Sequence, residues 1–493
     1  LAVVVQPEEQ RQAGFTALMR NRNYALLWSG QLVSELGNRF HWIAVSLWIY
    51  SLTHSASAVS LAISSMFIGS LLVSLWAGAF VDRLNRKAIL IASDLARAML
   101  VALIPTLVEV NLILVYVDLA LVSVATAFFR PAIFAVIPQV VNRRNLLSAN
   151  SFFTAMDTGT EILGPLLAGI LAQTYGYAPL LYMDSFTYVF SAGCISAMTI
   201  SHTPTQRERI NLQSVWSSVV EGLRYVKKDR LQYGLFVLIF PATIVGAGLN
   251  ALQTPIAKGI VGITDAEFGT FQGVWGVGFV AASLLVGWYG SLLRRSRIIL
   301  AGYFIGFAAT GLMGLSSSYQ DLLVTAFVVG FSNTLYYVGL STVLMEYTPS
   351  VLIGRVVSTR QVALAAVRVI SPLVFGALAE LSGIREAIFI MAIVGAGATA
   401  LTIWAHPSVR HFDEGKQPTN LGRPAMTWVI GGPIDPEFPE LPQRALNLGA
   451  VTITAIGWGG IALRHPGPAF TLLLVTLGVA GVGTILRRRG WLP

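Results

Sequence analysis

One cysteine, Cys194, stands in 493 residues. That excludes an intramolecular disulfide and any cysteine-based metal site. Charge is nearly as scarce, because Asp, Glu, Lys and Arg make up 12% of the chain, against about a quarter in soluble domains. A phosphate-cradling Gly-Lys loop, a hydrolase nucleophile set and a His/Cys metal cluster are all missing, which argues against an ATPase or a membrane-bound enzyme. No metal site and no cofactor are expected. Apolar residues fill the space instead, at 55% of the chain with a mean hydropathy of +0.68. Hydrocarbon cannot hydrogen-bond a peptide group, so spanning segments must be helices or a closed barrel, and a helix needs about 20 apolar residues. The net charge is +9, but the basic residues fall in short loops between apolar runs. They read as topology signals rather than a nucleic-acid surface. Nothing before Arg22 has the form of a cleavable signal peptide, so the first span is expected to be retained.

Runs of spanning length lie at 24–50, 56–81, 88–108, 112–137, 148–173 and 178–201, then at 231–253, 266–290, 298–316, 320–345, 361–380 and 385–405. Alternate loops hold the cations: Arg11, Arg20 and Arg22; Arg83, Arg86 and Lys87; Arg143 and Arg144; Arg294, Arg295 and Arg297; Arg355 and Arg360. The opposite set holds only Lys258 and Arg385. This bias places both ends of a twelve-helix unit in the cytoplasm.

The expected organisation is an all-α, multi-pass membrane protein. A cytoplasmic segment (1–22) precedes a six-helix bundle (23–203), a linker (204–230) and a second six-helix bundle (231–407). A Pro-rich cytoplasmic stretch (408–444) and a terminal two-helix hairpin (445–493) follow. In the linker, Leu212, Val215, Trp216, Val219, Val220, Leu223 and Val226 make an apolar stripe flanked by Arg209, Arg224, Lys227, Lys228 and Arg230. This predicts a basic amphipathic helix on the inner membrane surface.

The two sets of six repeat one another. Ile162–Gly176 matches Val369–Gly383, aligning Pro165 with Pro372 and Gly169 with Gly376, and Gly78–Lys87 matches Gly287–Ser296 at nearly the same offset. Nearly equal offsets at two distant places argue for a duplicated bundle with pseudo-twofold symmetry.

Gly78, Asp82, Arg83, Arg86 and Lys87 resemble the loop motif between helices two and three of the major facilitator superfamily. The stretch with Gly159, Gly164, Pro165 and Gly169 resembles the fifth-helix motif of exporters in that superfamily, with Ala168 where the motif commonly has Gly. Asn23-Tyr24, Ser34-Glu35-Leu36-Gly37, Asp94-Leu-Ala-Arg97, Arg130-Pro131-Ala132 and Ser148-Ala149-Asn150 are similar to the branch holding macrolide and enterobactin exporters. The resemblance spans about residues 20–407. It implies the major facilitator fold with twelve transmembrane helices, in a bacterial inner membrane. It implies alternating access and proton antiport, driven by the proton gradient, exporting a small amphiphilic compound such as a drug-like molecule or a siderophore. Protons, that substrate and membrane lipids are the implied partners; the oligomeric state is not legible. Two other readings stand beside it: a lysophospholipid transporter of the same fold, and a non-transporting receptor or scaffold. In the family the motif acid, Asp82 here, looks like a latch between bundles, with Arg83 and Arg86 arranging it or touching lipid phosphates.

Ionisable groups inside spans are functional candidates because each is costly unless paired or hydrated. The first span carries Glu35, Arg39 and His41; Glu35 and Arg39, one turn apart, either neutralise each other or face a cavity. His41 belongs to the residue type that titrates near neutral pH, so it is a candidate for a coupling proton. Asn38 stands where relatives often carry an acid. Asp157 and Glu161 share a face of the fifth span, as a proton carrier would require. The repeat pairs Glu161 with Arg368, which predicts opposite charges lining one cavity, with Arg368 attracting an anionic part of the substrate or resetting the acid. Gln31, Asn250, Gln253, Gln272, Asn333 and Tyr336 are candidate cavity residues or helix-to-helix hydrogen bonders. Asp94 and Arg97 read as a structural pair.

Overall fold

The computed structural model describes residues 15–81, 84–199, 212–289 and 294–410. The hairpin expected over 445–493 lies outside the described residues, as do Asp82 and Arg83. Among the described residues the chain forms fourteen α-helices. A short α1 (Phe15–Met19) is followed by α2 (Arg22–Thr53), α3 (Ala56–Val81), α4 (Arg86–Val110), α5 (Leu112–Val140), α6 (Leu146–Tyr175) and α7 (Tyr177–Ser196). The linker helix α8 (Leu212–Lys228) leads to α9 (Arg230–Thr254), α10 (Asp265–Tyr289), α11 (Arg295–Leu315), α12 (Tyr319–Glu346), α13 (Ser350–Ser382) and α14 (Ile384–Ala405).

Local chemistry sets the starts of several helices. Asn21 accepts hydrogen bonds from the backbone N–H groups of Asn23 and Tyr24. Asn85 does the same for Lys87 and Ala88, and Asp229 for Leu231 and Gln232. Each cap satisfies donors that the first turn of a helix leaves free. The long helices coincide with the expected apolar runs, with one difference. The helix expected from 361 begins at Ser350, so Arg355 and Arg360 lie on α13 rather than in a loop. Hydropathy marks where a helix is apolar, whereas its hydrogen bonds begin right after Pro349 and meet no further proline until Pro372.

Among the described residues, nine helices, α3 to α5 and α9 to α14, are long and apolar enough to cross a membrane by length and composition. The other long helices, α2, α6 and α7, carry more polar residues, among them Glu35, Arg39, Asp157, Glu161 and Asp184. Large apolar side chains cover the outside: Met99, Ile113, Phe186, Ile393 and Trp404 are each at least 66% exposed. Exposure of that kind suits acyl chains rather than water.

Helices α2 to α7 pack as one set and α9 to α14 as another. They meet chiefly through α6 against α10 and α3 against α13. Gly169 and Gly269 let the first pair touch backbone to backbone: a Cβ on Gly169 would lie 2.5 Å from Asp265 O and 2.8 Å from Gly269 Cα. The repeat-related Gly376 abuts Ser60 in the second pair, where Ser64 Oγ also donates to Val369 O (2.9 Å). At the same end, Ser57 N donates to Glu380 Oε1 (3.1 Å) and Tyr177 Oη to Asp265 Oδ2 (3.0 Å). Ala266 N donates to Gln173 Oε1 (3.1 Å). These contacts draw the two sets together at the end that carries the α2–α3 and α6–α7 turns.

The linker helix is docked on protein. Val226 is fully buried and Glu221 pairs with Arg355. Gly222 lies so close to α13 that a Cβ would run into Thr359 Oγ1 and the Arg355 carbonyl.

Candidate functional site

Helix α6 presents Asn150, Thr154, Asp157 and Glu161 as exposed residues at three- and four-residue spacing, hence on one face. The stripe stops where α6 reaches α10: a Cβ on Gly276 would lie 2.8 Å from Ile162 Cγ1 and 3.4 Å from the Glu161 carbonyl oxygen. A polar cleft thus runs between the two sets and closes beyond Glu161.

Asp157 lies within electrostatic reach of Glu35 and Arg39 on α2, Arg130 on α5 and Glu161 on its own helix. From the opposite set, Arg368 on α13 lies within reach of Tyr337, Arg130 and Arg360. Arg130 therefore acts both on Asp157 of α6 and on Arg368 of α13, the neighbour that the two share across the sets. Arg130 and Arg360 are not among the candidates read from the sequence. A lone arginine inside the apolar fourth span was the available signal for the first; the second was hidden by its placement in a loop.

The exporter-like motif on α6 divides its work. Gly159 meets nothing within 4 Å, Gly164 receives the Cβ and Cγ of Arg39, and the Pro165 carbonyl and Gly169 face Gly269 across the interface. Arg39 lies along α6, with its Nε buried and without a hydrogen-bond partner. Glu35 and Arg39 do not form the ion pair that their spacing allows, which leaves both to the cleft.

Several candidates point elsewhere. Gln31 is buried and donates to Ser191 Oγ of α7 (3.1 Å). Asn38 accepts a hydrogen bond from Tyr188 Oη. His41 is 7% exposed, with Nδ1 3.3 Å from Asp184 Oδ2. These three are turned into the first set, away from Asp157. Gln253 is buried and donates weakly to Asn250 Oδ1 one turn earlier (3.4 Å). Gln272 and Asn333 are half-buried. The Tyr336 ring packs on Tyr303 with centroids 4.6 Å apart, and it is the exposed Tyr337 that neighbours Arg368.

Of the loop motif, Gly78 lies within α3. Arg86 donates to Ala135 O of α5 (3.2 Å), and Lys87 Nζ donates to Ser196 O and Met198 O, each at 2.7 Å. These cations hold the ends of α5 and α7, where free carbonyls favour positive charge.

Two packed helical sets related by an internal repeat, enclosing a charged cleft, have the build of a secondary transporter. The sequence profile described as Major Facilitator Superfamily matches residues 27–256 and 235–486. The chain belongs to this superfamily and is a multi-pass membrane transporter, not an enzyme. It is 23% identical over 328 residues to macrolide efflux protein A of Streptococcus pyogenes, covering 65% of this chain and 80% of that protein. It is 25% identical over 386 residues to the multidrug efflux pump Tap of Mycolicibacterium fortuitum, covering 74% and 92%. A bacterial homologue of the human lysosomal transporter Spinster, in an inward-facing and occupied conformation, shares the fold with a TM-score of 0.66 at 12% identity, covering 81% of this chain and 99% of that one.

Proposed function

We propose that this protein exports small amphiphilic compounds across a bacterial inner membrane in exchange for protons, with both ends of the twelve-helix unit in the cytoplasm. The observation that carries the reading is the pairing of walls: Asp157 and Glu161 on one side of the cleft and Arg368 on the other, with Arg130 between. An acid on a water-reached face takes up a proton and releases it when the opposite face opens, and the arginine wall draws an anionic part of the cargo. The efflux proteins among its relatives support the direction. The contacts at the α2–α3 end fit a cleft open towards the cytoplasm, and the proton gradient is the energy source.

The test is a proteoliposome assay with an imposed pH gradient, following proton flux as amphiphilic drugs, siderophores and lysolipids are added in turn. A compound that elicits flux, with flux lost in Asp157→Asn or Glu161→Gln, identifies the antiporter and its cargo. Full flux in both variants removes these acids from the mechanism. Response to lysolipids alone moves the cargo to lipids.

A further inference from the structure

The first helical set buries five ionisable side chains together, on the side of α2 turned away from the cleft. Asp94 and Arg97 come from α4, Asp118 from α5, Asp184 from α7 and His41 from α2, and none is more than 7% exposed. Arg97 is bonded to Asp94 and lies between the rings of Phe129 (4.1 Å) and Tyr188 (4.4 Å). His41 stands between two carboxylates: its Nδ1 is 3.3 Å from Asp184 Oδ2, and Asp118 lies within its electrostatic reach. Gly37 makes this approach possible, since a Cβ there would fall 2.5 Å from Asp184 Oδ1.

With all carboxylates ionised, three negative charges face one guanidinium and one imidazole. Asp94 and Arg97 cancel. Neutrality in a water-poor interior then needs two protons among Asp118, His41 and Asp184, three sites for two protons. A second observation bears on the same groups: Asp118 Oδ2, Asp184 Oδ2 and His41 Nδ1, like Asp94 Oδ2, are buried without an aligned hydrogen bond, so the protein itself leaves these polar atoms unsatisfied. The other titratable groups near this site are Tyr188 on α7, hydrogen-bonded to Asn38, and Glu35 and Arg39 on the cleft side of α2. Helix α3, packed against α2 and α5, contributes none.

We propose that Asp118, His41 and Asp184 form a proton-binding site inside the first bundle, separate from the cleft acids and joined to them through α2. Its transport role rests on the antiport reading above; its existence as a proton site does not. Helix α2 holds Glu35 and Arg39 to the cleft and Asn38 and His41 to the site, so loading the site acts on the cleft wall through one rigid element.

Two measurements separate these claims. Infrared spectra of the full-length purified protein at neutral pH should show the carbonyl stretch of a protonated carboxylic acid. Asp118→Asn and Asp184→Asn should each diminish it, while Asp157→Asn with Glu161→Gln leaves a residual band. A band unchanged in both Asp118→Asn and Asp184→Asn overturns the site, whatever transport assays give. In proteoliposomes, Asp184→Asn and His41→Gln should lower substrate-elicited proton flux at least about tenfold while substrate binding is kept. Wild-type flux in both variants, with the band altered, overturns the coupling. If no substrate elicits flux from the wild type, the antiport reading fails and the infrared result alone decides the site. Elution and melting temperature check that each variant folds; His41→Gln, which leaves both carboxyls in place, covers the case in which Asp184→Asn does not.

Discussion

Arg368 shows what a charge inside a membrane protein is for when no carboxylate pairs with it. It stands on the cleft wall beside Tyr337 and within reach of Arg130 and Arg360, an assembly of positive charge costly to keep without an anion to receive. Arg368→Ala should therefore raise the KM for an anionic substrate about tenfold, or about 1.4 kcal/mol, with a smaller change for a cationic one. Transport assays with a matched pair of substrates check this, and equal effects on both would place Arg368 outside substrate binding. Asp157, Glu161 and Arg368 were legible in the sequence because helical spacing and the repeat put them at related positions. Asp118 and Asp184 were not. Each is a lone acid in an apolar run, and its partner sits on another helix, so only tertiary packing reveals what surrounds it. Gln31 takes the helix-to-helix role that the sequence left open beside a cavity role, and Asn38 bonds to the same helix α7, because polarity within a span does not say which side of the helix faces the cleft.

At the scale of elements, the helix-five motif and its repeat at Pro372 and Gly376 lie where the two sets touch. A glycine crossing allows backbones to approach and to part with little side-chain interlock. Gly169→Val would push α6 off Gly269 and the Asp265 carbonyl, contacts already at the limit for a single Cβ. Such overpacking costs about 1–3 kcal/mol in the conformation that makes the contact. The expected result is a folded protein whose transport falls sharply, checked by melting temperature and uptake in parallel; unimpaired transport would show that this crossing never tightens further. Helix positions were readable because apolar runs of spanning length are hard to mistake, and the start of α13 was missed because Arg355 and Arg360 interrupt its first turns and read as loop cations.

For the whole molecule, the two sets meet through a repeated pair of helix contacts, and this much of the architecture followed from comparing the chain with itself. Which end is drawn together did not, because the same residues must serve both arrangements of a rocking protein. Ser55 Oγ donates to Glu380 Oε1 at 2.5 Å across that interface, which offers a direct test of rocking. In a Cys194→Ser background, Ser55→Cys with Glu380→Cys bridged by a short thiol-reactive linker should stop transport, and a reducible linker should return it on reduction. Transport that continues through the bridge would rule out separation at this end.

Helix α2 has one face towards the cleft and the other towards Asp184, with Gly37 admitting the acid to its back. What meets the cargo and what sits with the buried charges are thus carried by one helix but by different residues. Replacements along the wet face change which compounds fit and leave the dry face intact. A lineage built this way can shift its range of cargo by single substitutions without rebuilding the groups sealed behind α2.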